Sequence, residues 1–252
     1  MDFSGRGLCA VGAISPGEEF AGMTVTPEDL IARILYRDAL MLILDKPAGL
    51  PVHAGPRGGE NLQMVLDALR FGLPRAPELA HRLDRDTSGC LVLGRHRKAL
   101  ATLGQLFADG KVEKTYWAVV VGRPRQDSGT IDLPLKKLER KFGWKVEVDR
   151  AGQPSVTEWR LLGGSEQISW LECRPLTGRT HQIRAHCAAI GHPLAGDVIY
   201  GQGTGTVVSD RLHLHARAVS VPLYPRKPAI TASAPVPEHM KAALTACGWG
   251  EG

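Results

Sequence analysis

The sequence predicts an α+β domain in which helices are interspersed among mostly antiparallel strands. Three observations carry this expectation. Apolar residues recur at helical spacing in three well-separated segments. Between residues 116 and 174 the pattern changes to short continuous or alternating apolar runs, the mark of strands. No internal repeat or low-complexity stretch interrupts the 252 residues, and 43% hydrophobic with 23% charged residues is a globular composition.

The elements follow in order. Residues 1–30 are rich in Gly, Ser and Pro and read as an extended N-terminal arm. Near its end, Thr26-Pro27-Glu28-Asp29 has the N-cap, the first-turn proline and the acids that open a short helix. The apolar run 39–44 reads as a buried strand, stopped by the turn Asp45-Lys46-Pro47-Ala48-Gly49. Residues 60–71 read as an amphipathic helix, with Leu62, Val65, Leu66 and Leu69 on one stripe and Gly72 as its stop. A short strand at Leu91–Leu93 precedes a helix over 98–108, closed by Gly110. Strands follow at 117–121, 145–148, 156–160 and 168–173. A third helix spans about 180–190, and a last strand covers 212–216. The main domain is thus expected over 31–235, with a C-terminal tail at 236–252.

Net charge is +5, but it is unevenly placed. Residues 81–150 carry 15 basic and 9 acidic side chains and residues 174–227 carry 7 and 2, whereas residues 1–60 carry 5 and 8. The middle and later chain would therefore attract a phosphate-rich partner. No basic stretch followed by an apolar one opens the chain, and the longest apolar run is too short to span a bilayer. The five cysteines are odd in number, scattered and without a CxxC pair, so a reducing cytoplasm is expected rather than a disulfide framework.

Three polar segments exceed what folding requires. His81-Arg82-Leu83-Asp84-Arg85-Asp86-Thr87-Ser88-Gly89 leads straight into a buried strand, a natural platform for a held carboxylate. Read without function, the same residues make a solvated loop with turn hydrogen bonds. Asp84 and Asp86, two apart in an extended loop, can face the same way, so spacing alone does not choose between them. The second segment, Thr177 to His186, opens the third helix. A glycine and two arginines there favour an anion, while Thr177 or Thr180 could simply cap the helix. The third, Lys114 to Val120, places Tyr116 at a strand start, where an aromatic is usually core with its hydroxyl on the rim. No metal site is expected. His181 and His186 lie about 140° apart on a helix, and no HExxH or Cys/His ligand spacing appears.

Taken together, HRLDRDTSG at 81–89, DKPAGLPVH at 45–53, KTYWAVVVG at 114–122, TGRTHQIRAH at 177–186 and GHPLAGDVIYG at 191–201 resemble the RluA family of pseudouridine synthases. The segments stand in that family's order and cover about residues 39–217. The resemblance implies the pseudouridine synthase catalytic fold: a mixed, mainly antiparallel sheet flanked by helices, with a central active-site cleft. It implies isomerisation of uridine in RNA to pseudouridine, by breaking the N-glycosidic bond and rejoining the base through carbon 5. It assigns catalysis to Asp84, Tyr116 and Arg184: the aspartate, the tyrosine that stacks on the flipped base and is implicated in proton removal, and the arginine paired with the aspartate. Arg82 matches the residue that fills the gap left by the flipped uridine. Leu212 or Leu214 supplies an apolar contact to the base. His81, Arg179, Thr180, His181 and Gln182 complete the expected RNA-contacting set, the two histidines as structural or phosphate-contacting groups.

The residue types agree with that chemistry. A uridine in folded RNA must be extruded before a protein reaches its glycosidic bond, and a guanidinium such as Arg82 can replace the lost stacking. An ionised carboxylate in a water-poor cleft needs an opposed cation, and a bidentate pair between Arg184 and Asp84 would also fix its direction. Attack at the sugar, attack at the ring and base-catalysed elimination all remain open for Asp84. No cofactor is implied, and a monomer is expected. The arm lacks the length and basic pattern of the S4 RNA-binding module found in many relatives. RNA contact is therefore expected from the catalytic domain, and from 136–141 if that basic stretch is not merely a solvated hairpin. The first motif departs slightly from the family's His-Pro ending, reading Val52-His53-Ala54. Ribosomal RNA is favoured over transfer RNA as substrate. A binding protein without catalysis, or a hydrolase releasing uracil, are the competing readings.

Overall fold

The computed structural model describes residues 25–55, 58–138, 145–201 and 209–250. Most of the expected arm, Cys9 and residues 139–141 of the basic stretch lie outside them.

In chain order the elements begin with helix α1 (Pro27–Ala32) and strands β1 (Ile34–Arg37) and β2 (Met41–Lys46). The expected start of α1 is present as a full capping box, Thr26 and Asp29 each bonding the other's backbone N–H. Leu62–Leu69 is a 3-10 helix, not the expected α-helix. Over eight residues the apolar stripe cannot distinguish 3.0 from 3.6 residues per turn. Either winding buries Leu62, Leu66 and Leu69. Then come β3 (Glu78–Leu79), β4 (Ser88–Gly94), α2 (Arg97–Ala108), β5 (Glu113–Val121), β6 (Ser128–Asp132), β7 (Leu135–Leu138), β8 (Lys145–Val148), β9 (Val156–Gly164), β10 (Ile168–Pro175) and α3 (Gln182–Ala189). β11 (Leu214–Val221), β12 (Ile230–Ser233) and α4 (Glu238–Ala246) complete the described chain. The segment set apart as a C-terminal tail thus carries a helix, and its Met240 and Leu244 are buried.

Among the described residues ten strands make one sheet, in the order β1-β2-β4-β11-β5-β10-β9-β6, with β12 beside β11 and β3 beside β4. Each pairing is antiparallel except β4 with β11. β7 and β8 form a separate hairpin, the first residues of the basic stretch among them. The parallel junction matters for the site, because it brings the loop before β4 and the loop before β11 to one edge of the sheet. It requires Gly89, whose φ is +102° and where a Cβ would lie 2.3 Å from the Ala216 carbonyl oxygen. Ser88 and His215, opposite each other in this pairing, bond side chain to side chain at 2.8 Å.

The core has two main parts. One lies among β1, β2, β4, α2 and the 3-10 helix, where β2 and β4 are buried on both faces. The other packs α3, through Ile183 and Cys187, on Ala118, Leu171, Cys173, Leu212 and Leu214 of the central strands. The opposite face of β5 is covered by Met240 and Leu244 of α4. Tyr116 touches both parts, which puts it where the two halves of the sheet meet.

Candidate active site

A cleft of about 550 Å³ opens at this meeting point. The loop 81–87, the first half of β5, the turn 175–181, the start of α3 and Leu214 line it.

The start of the loop is held by Val92: Ala80 N–H donates to its carbonyl at 3.0 Å, and its own N–H donates to His81 Nε2 at 3.0 Å. The imidazole thus stands in for a backbone acceptor. Its ring stacks on Phe107 at 4.3 Å between centroids. Burial, with the Lys114 charge nearby, pushes the His81 imidazole down to about 3. It lines the cleft as a neutral wall. The middle of the loop is held from below by Lys46, a side chain with no exposure. Its Nζ donates to the carbonyls of Pro47, Leu50 and Arg85 at 2.7, 2.9 and 2.9 Å. Gly49 N–H also donates to the Arg85 carbonyl, at 3.0 Å. Burial draws the ammonium down to about 7 against the opposing charges of Asp86, Asp84 and Asp45. The first motif of the sequence thus supports the second.

So fixed, the loop turns Asp84 into the cleft, while Asp86 faces outward in an ion pair with Arg85. The Asp84 side chain is 18% exposed, with Arg184 Nη1 3.5 Å and His181 Nε2 3.8 Å from its Oδ2. The first contact is at the outer limit of a hydrogen bond and the second beyond it.

The bidentate pair expected between Arg184 and Asp84 is formed with Asp197 instead. Arg184 Nε and Nη2 donate to the two Asp197 oxygens at 2.7 and 2.8 Å. The reason is geometric. Asp197 sits buried in the turn after α3, where it also accepts from the N–H groups of Ile199 and Tyr200. Gly196, with φ +73°, permits that turn, since a Cβ there would meet the Arg211 carbonyl oxygen at 1.7 Å. Burial alone would raise the Asp197 carboxyl, but the Arg184 bonds and the two N–H groups outweigh it and hold it low. Burial opposes the Arg184 charge too, and Asp197 then Asp84 outweigh that, keeping the guanidinium firmly protonated.

His181 caps α3 in a left-handed conformation, φ 52°. Neither Thr177 nor Thr180, the two caps that the spacing offers, caps the helix. Gln182 folds back, its Oε1 accepting from Thr177 Oγ1 and Arg179 N–H, and its Nε2 donating to the Val156 carbonyl and Thr157 Oγ1. Gln182 is therefore a brace for the turn, its amide fully engaged within the protein. Tyr200 Oη accepts from Val146 N–H at 2.9 Å and stands 3.1 Å from His181 Nδ1. That network is satisfied when the phenol donates to Nδ1, leaving Nε2–H toward Asp84. Burial lowers the imidazole's basicity, so it stays neutral.

The remaining expected residues separate by depth. Tyr116 lines the cleft, and burial, then the Asp84 charge, raises its phenol above the ordinary range. Leu214 lines the cleft, whereas Leu212 packs beneath it in the core under α3. Thr180 is half-buried in the wall. Arg82 and Arg179 are exposed at the rim, Arg179 Nε donating to the Pro154 carbonyl. Sequence reading gave no role to Lys114, which lines the cleft and donates to the Thr177 carbonyl at 3.3 Å. It also gave none to Lys46, Asp197 and Tyr200. Two signs were readable: a lysine closing a buried apolar run directly before Pro47, and Asp197 as one of two acids in the basic stretch 174–227.

His186 lies away from the cleft, bonded to Thr157 Oγ1 and the Leu133 carbonyl. Among the described residues no group of three His, Cys, Asp or Glu side chains converges to hold a metal ion. No helix among them is long and apolar enough to cross a membrane.

A carboxylate beside a braced arginine, facing a tyrosine and a leucine under a basic rim, defines a site for a flat neutral ring carried on a polyanion. Comparison with known proteins agrees. The RNA pseudouridylate synthase family matches residues 40–189. An uncharacterized RNA pseudouridine synthase of Zymomonas mobilis is 44% identical over 211 residues, 83% of this chain and 95% of its own. Ribosomal large subunit pseudouridine synthase C of Vibrio parahaemolyticus is 41% identical over 191 residues, 73% of this chain and 59% of its own. The solved structure of human RNA pseudouridylate synthase domain containing 4 superposes with a TM-score of 0.73 at 26% identity, covering 87% of this chain and 94% of that one. The chain belongs to the RNA pseudouridylate synthase family.

Proposed function

We propose that this enzyme is an RluA-type synthase that flips a uridine out of structured RNA into the cleft and isomerises it with Asp84 as the catalytic carboxylate. The observation that carries the reading is the state of Asp84: oriented into the cleft and held by no short hydrogen bond, between an arginine and a neutral histidine. A carboxylate kept this free is available to the sugar or the ring. Arg184 is aligned by Asp197, so it steadies the Asp84 charge without gripping it. Tyr116 and Leu214 supply the faces between which the extruded base lies. Tyr116 starts as a neutral phenol. When Asp84 loses its charge by bonding to substrate, one of the forces opposing the phenolate goes with it, and proton removal by Tyr116 becomes easier. In this reading Arg82 and Arg179 contact backbone phosphates at the rim, Lys114 adds positive charge within the cleft, and Arg82 fills the vacated stack.

Ribosomal RNA is the favoured substrate, in keeping with the name of the Vibrio relative. The test is tritium release from RNA labelled at carbon 5 of uridine, isolated from a strain lacking the gene and separated into ribosomal and transfer pools. Release from the ribosomal pool with the base retained in the polymer is the expected result. Release confined to the transfer pool would move the substrate, and free uracil in solution would replace the isomerase by a hydrolase.

A further inference from the structure

Thr87 is 2% exposed, and its hydroxyl is among the few buried side-chain polar atoms of the described residues with no hydrogen-bond partner. Folded chains seldom retain such an atom, because burying an unpaired hydroxyl is destabilising. Its position suggests a use. Thr87 lines the cleft, three residues after Asp84, and its N–H donates to the Asp84 carbonyl at 3.2 Å to close a tight turn. Across that same turn, the nearest donors to the Asp84 carboxylate stand 3.5 and 3.8 Å away. A donor without an acceptor and an acceptor without a close donor are thus held on one four-residue turn. Carboxylates and hydroxyls at turn positions bond locally by simple side-chain rotation.

We propose that Thr87 is a positioning residue for Asp84: with a nucleotide in the cleft, its hydroxyl donates to the Asp84 carboxylate and fixes which oxygen meets the uridine. The inference rests on the reading of Asp84 above. A nucleotide entering the cleft beside Asp84 turns the carboxylate toward its own loop, where Thr87 is the unused donor, while Arg184 still steadies its charge. The bond is charge-assisted and forms away from water, so it favours one orientation of a side chain that Arg184 and His181 hold only loosely.

The free and loaded enzymes should therefore respond oppositely to Thr87→Val, which keeps the shape and removes the hydroxyl. Thermal stability should be unchanged or raised, since a buried unpaired group is removed. The single-turnover rate of tritium release at saturating enzyme should fall about tenfold to a hundredfold, as for loss of a hydrogen bond to a charged group. The half-saturating enzyme concentration should not change, and Thr87→Ser should restore most of the rate. Thr87→Ala is read the same way if the valine variant does not fold. A valine variant as fast as wild type overturns the proposal. So does a slow variant that is also less stable and is not rescued by serine, which would mark a packing role. Failure of wild type itself to release tritium would instead remove the reading of the site on which the proposal rests.

Discussion

Asp84 and Asp197 divide the work that one carboxylate was expected to do. Asp197 takes the two well-aligned donors of Arg184 and its side chain is fully buried, which leaves Asp84 facing the cleft with the Arg184 charge beside it. Removing one partner of a buried ion pair leaves an uncompensated charge. Asp197→Asn should therefore lower unfolding free energy by about 3 kcal/mol in urea titration and slow tritium release. A variant as stable as wild type would show that the pair does not hold Arg184. Lys46 makes a parallel case: Lys46→Met strips one donor from three carbonyls. It should destabilise the protein by about 2–4 kcal/mol and slow catalysis through the Arg85 end of the loop. Unchanged activity in that variant would disconnect the first motif from the second. Neither pairing was legible from spacing, because Lys46 meets Arg85 across 39 residues and Arg184 meets Asp197 across 13 in a turn with no periodic pattern. Asp84, Tyr116 and Arg184, which line the cleft, were legible; their partners depend on tertiary contacts.

At the scale of elements, the strands legible in the sequence are those with a continuous or alternating apolar pattern: β2, β4, β5, β8, β9, β10 and β11. Those not legible are short or sparse in apolar residues. β3 has two residues, and β6 reads Ser-Gly-Thr-Ile-Asp with Ile131 alone buried. Such edges take their form from the neighbour they pair with. The parallel join of β4 to β11 could not be read either, since pairing across 127 residues leaves no local pattern. Its requirement is sharp all the same. Gly89→Ala places a methyl 2.3 Å from a backbone oxygen at a positive φ. It should cost about 3 kcal/mol or more by urea unfolding, through overpacking and backbone strain together. Full stability would mean that the two strands do not meet as described.

Across the whole molecule, buried imidazoles set the response to acid. Burial lowers the basicity of His81 to about 3 and His215 to about 4, and it lowers His186, His213 and His239 as well. The unfolded chain binds these protons near pH 6.5, while the folded one does not. Unfolding therefore takes up protons below that pH. The stability these histidines contribute is complete above about pH 6.5 and declines as pH falls toward 4. His81 and His215 each add a slope of up to about 1.4 kcal/mol per pH unit in that window. Urea titrations at pH 7.5, 6 and 5 should show the decline, and a flat profile would contradict the neutral, buried assignments. The mainly antiparallel α+β architecture was legible at this scale, as was the bias of positive charge toward the later chain. The cleft was not, because it exists only where two halves of one sheet and α3 converge on Tyr116.

The most direct test of the central claim, that Asp84 is the carboxylate that acts on uridine, is a tritium-release assay on the same labelled RNA. It compares wild type, Asp84→Asn and Asp86→Asn, with RNA affinity measured in parallel. The account predicts release by wild type and Asp86→Asn, none above background by Asp84→Asn, and RNA affinity for all three within about threefold, since amide for carboxylate leaves the basic rim intact. Release by Asp84→Asn at the wild-type rate would contradict it and remove Asp84 from the mechanism.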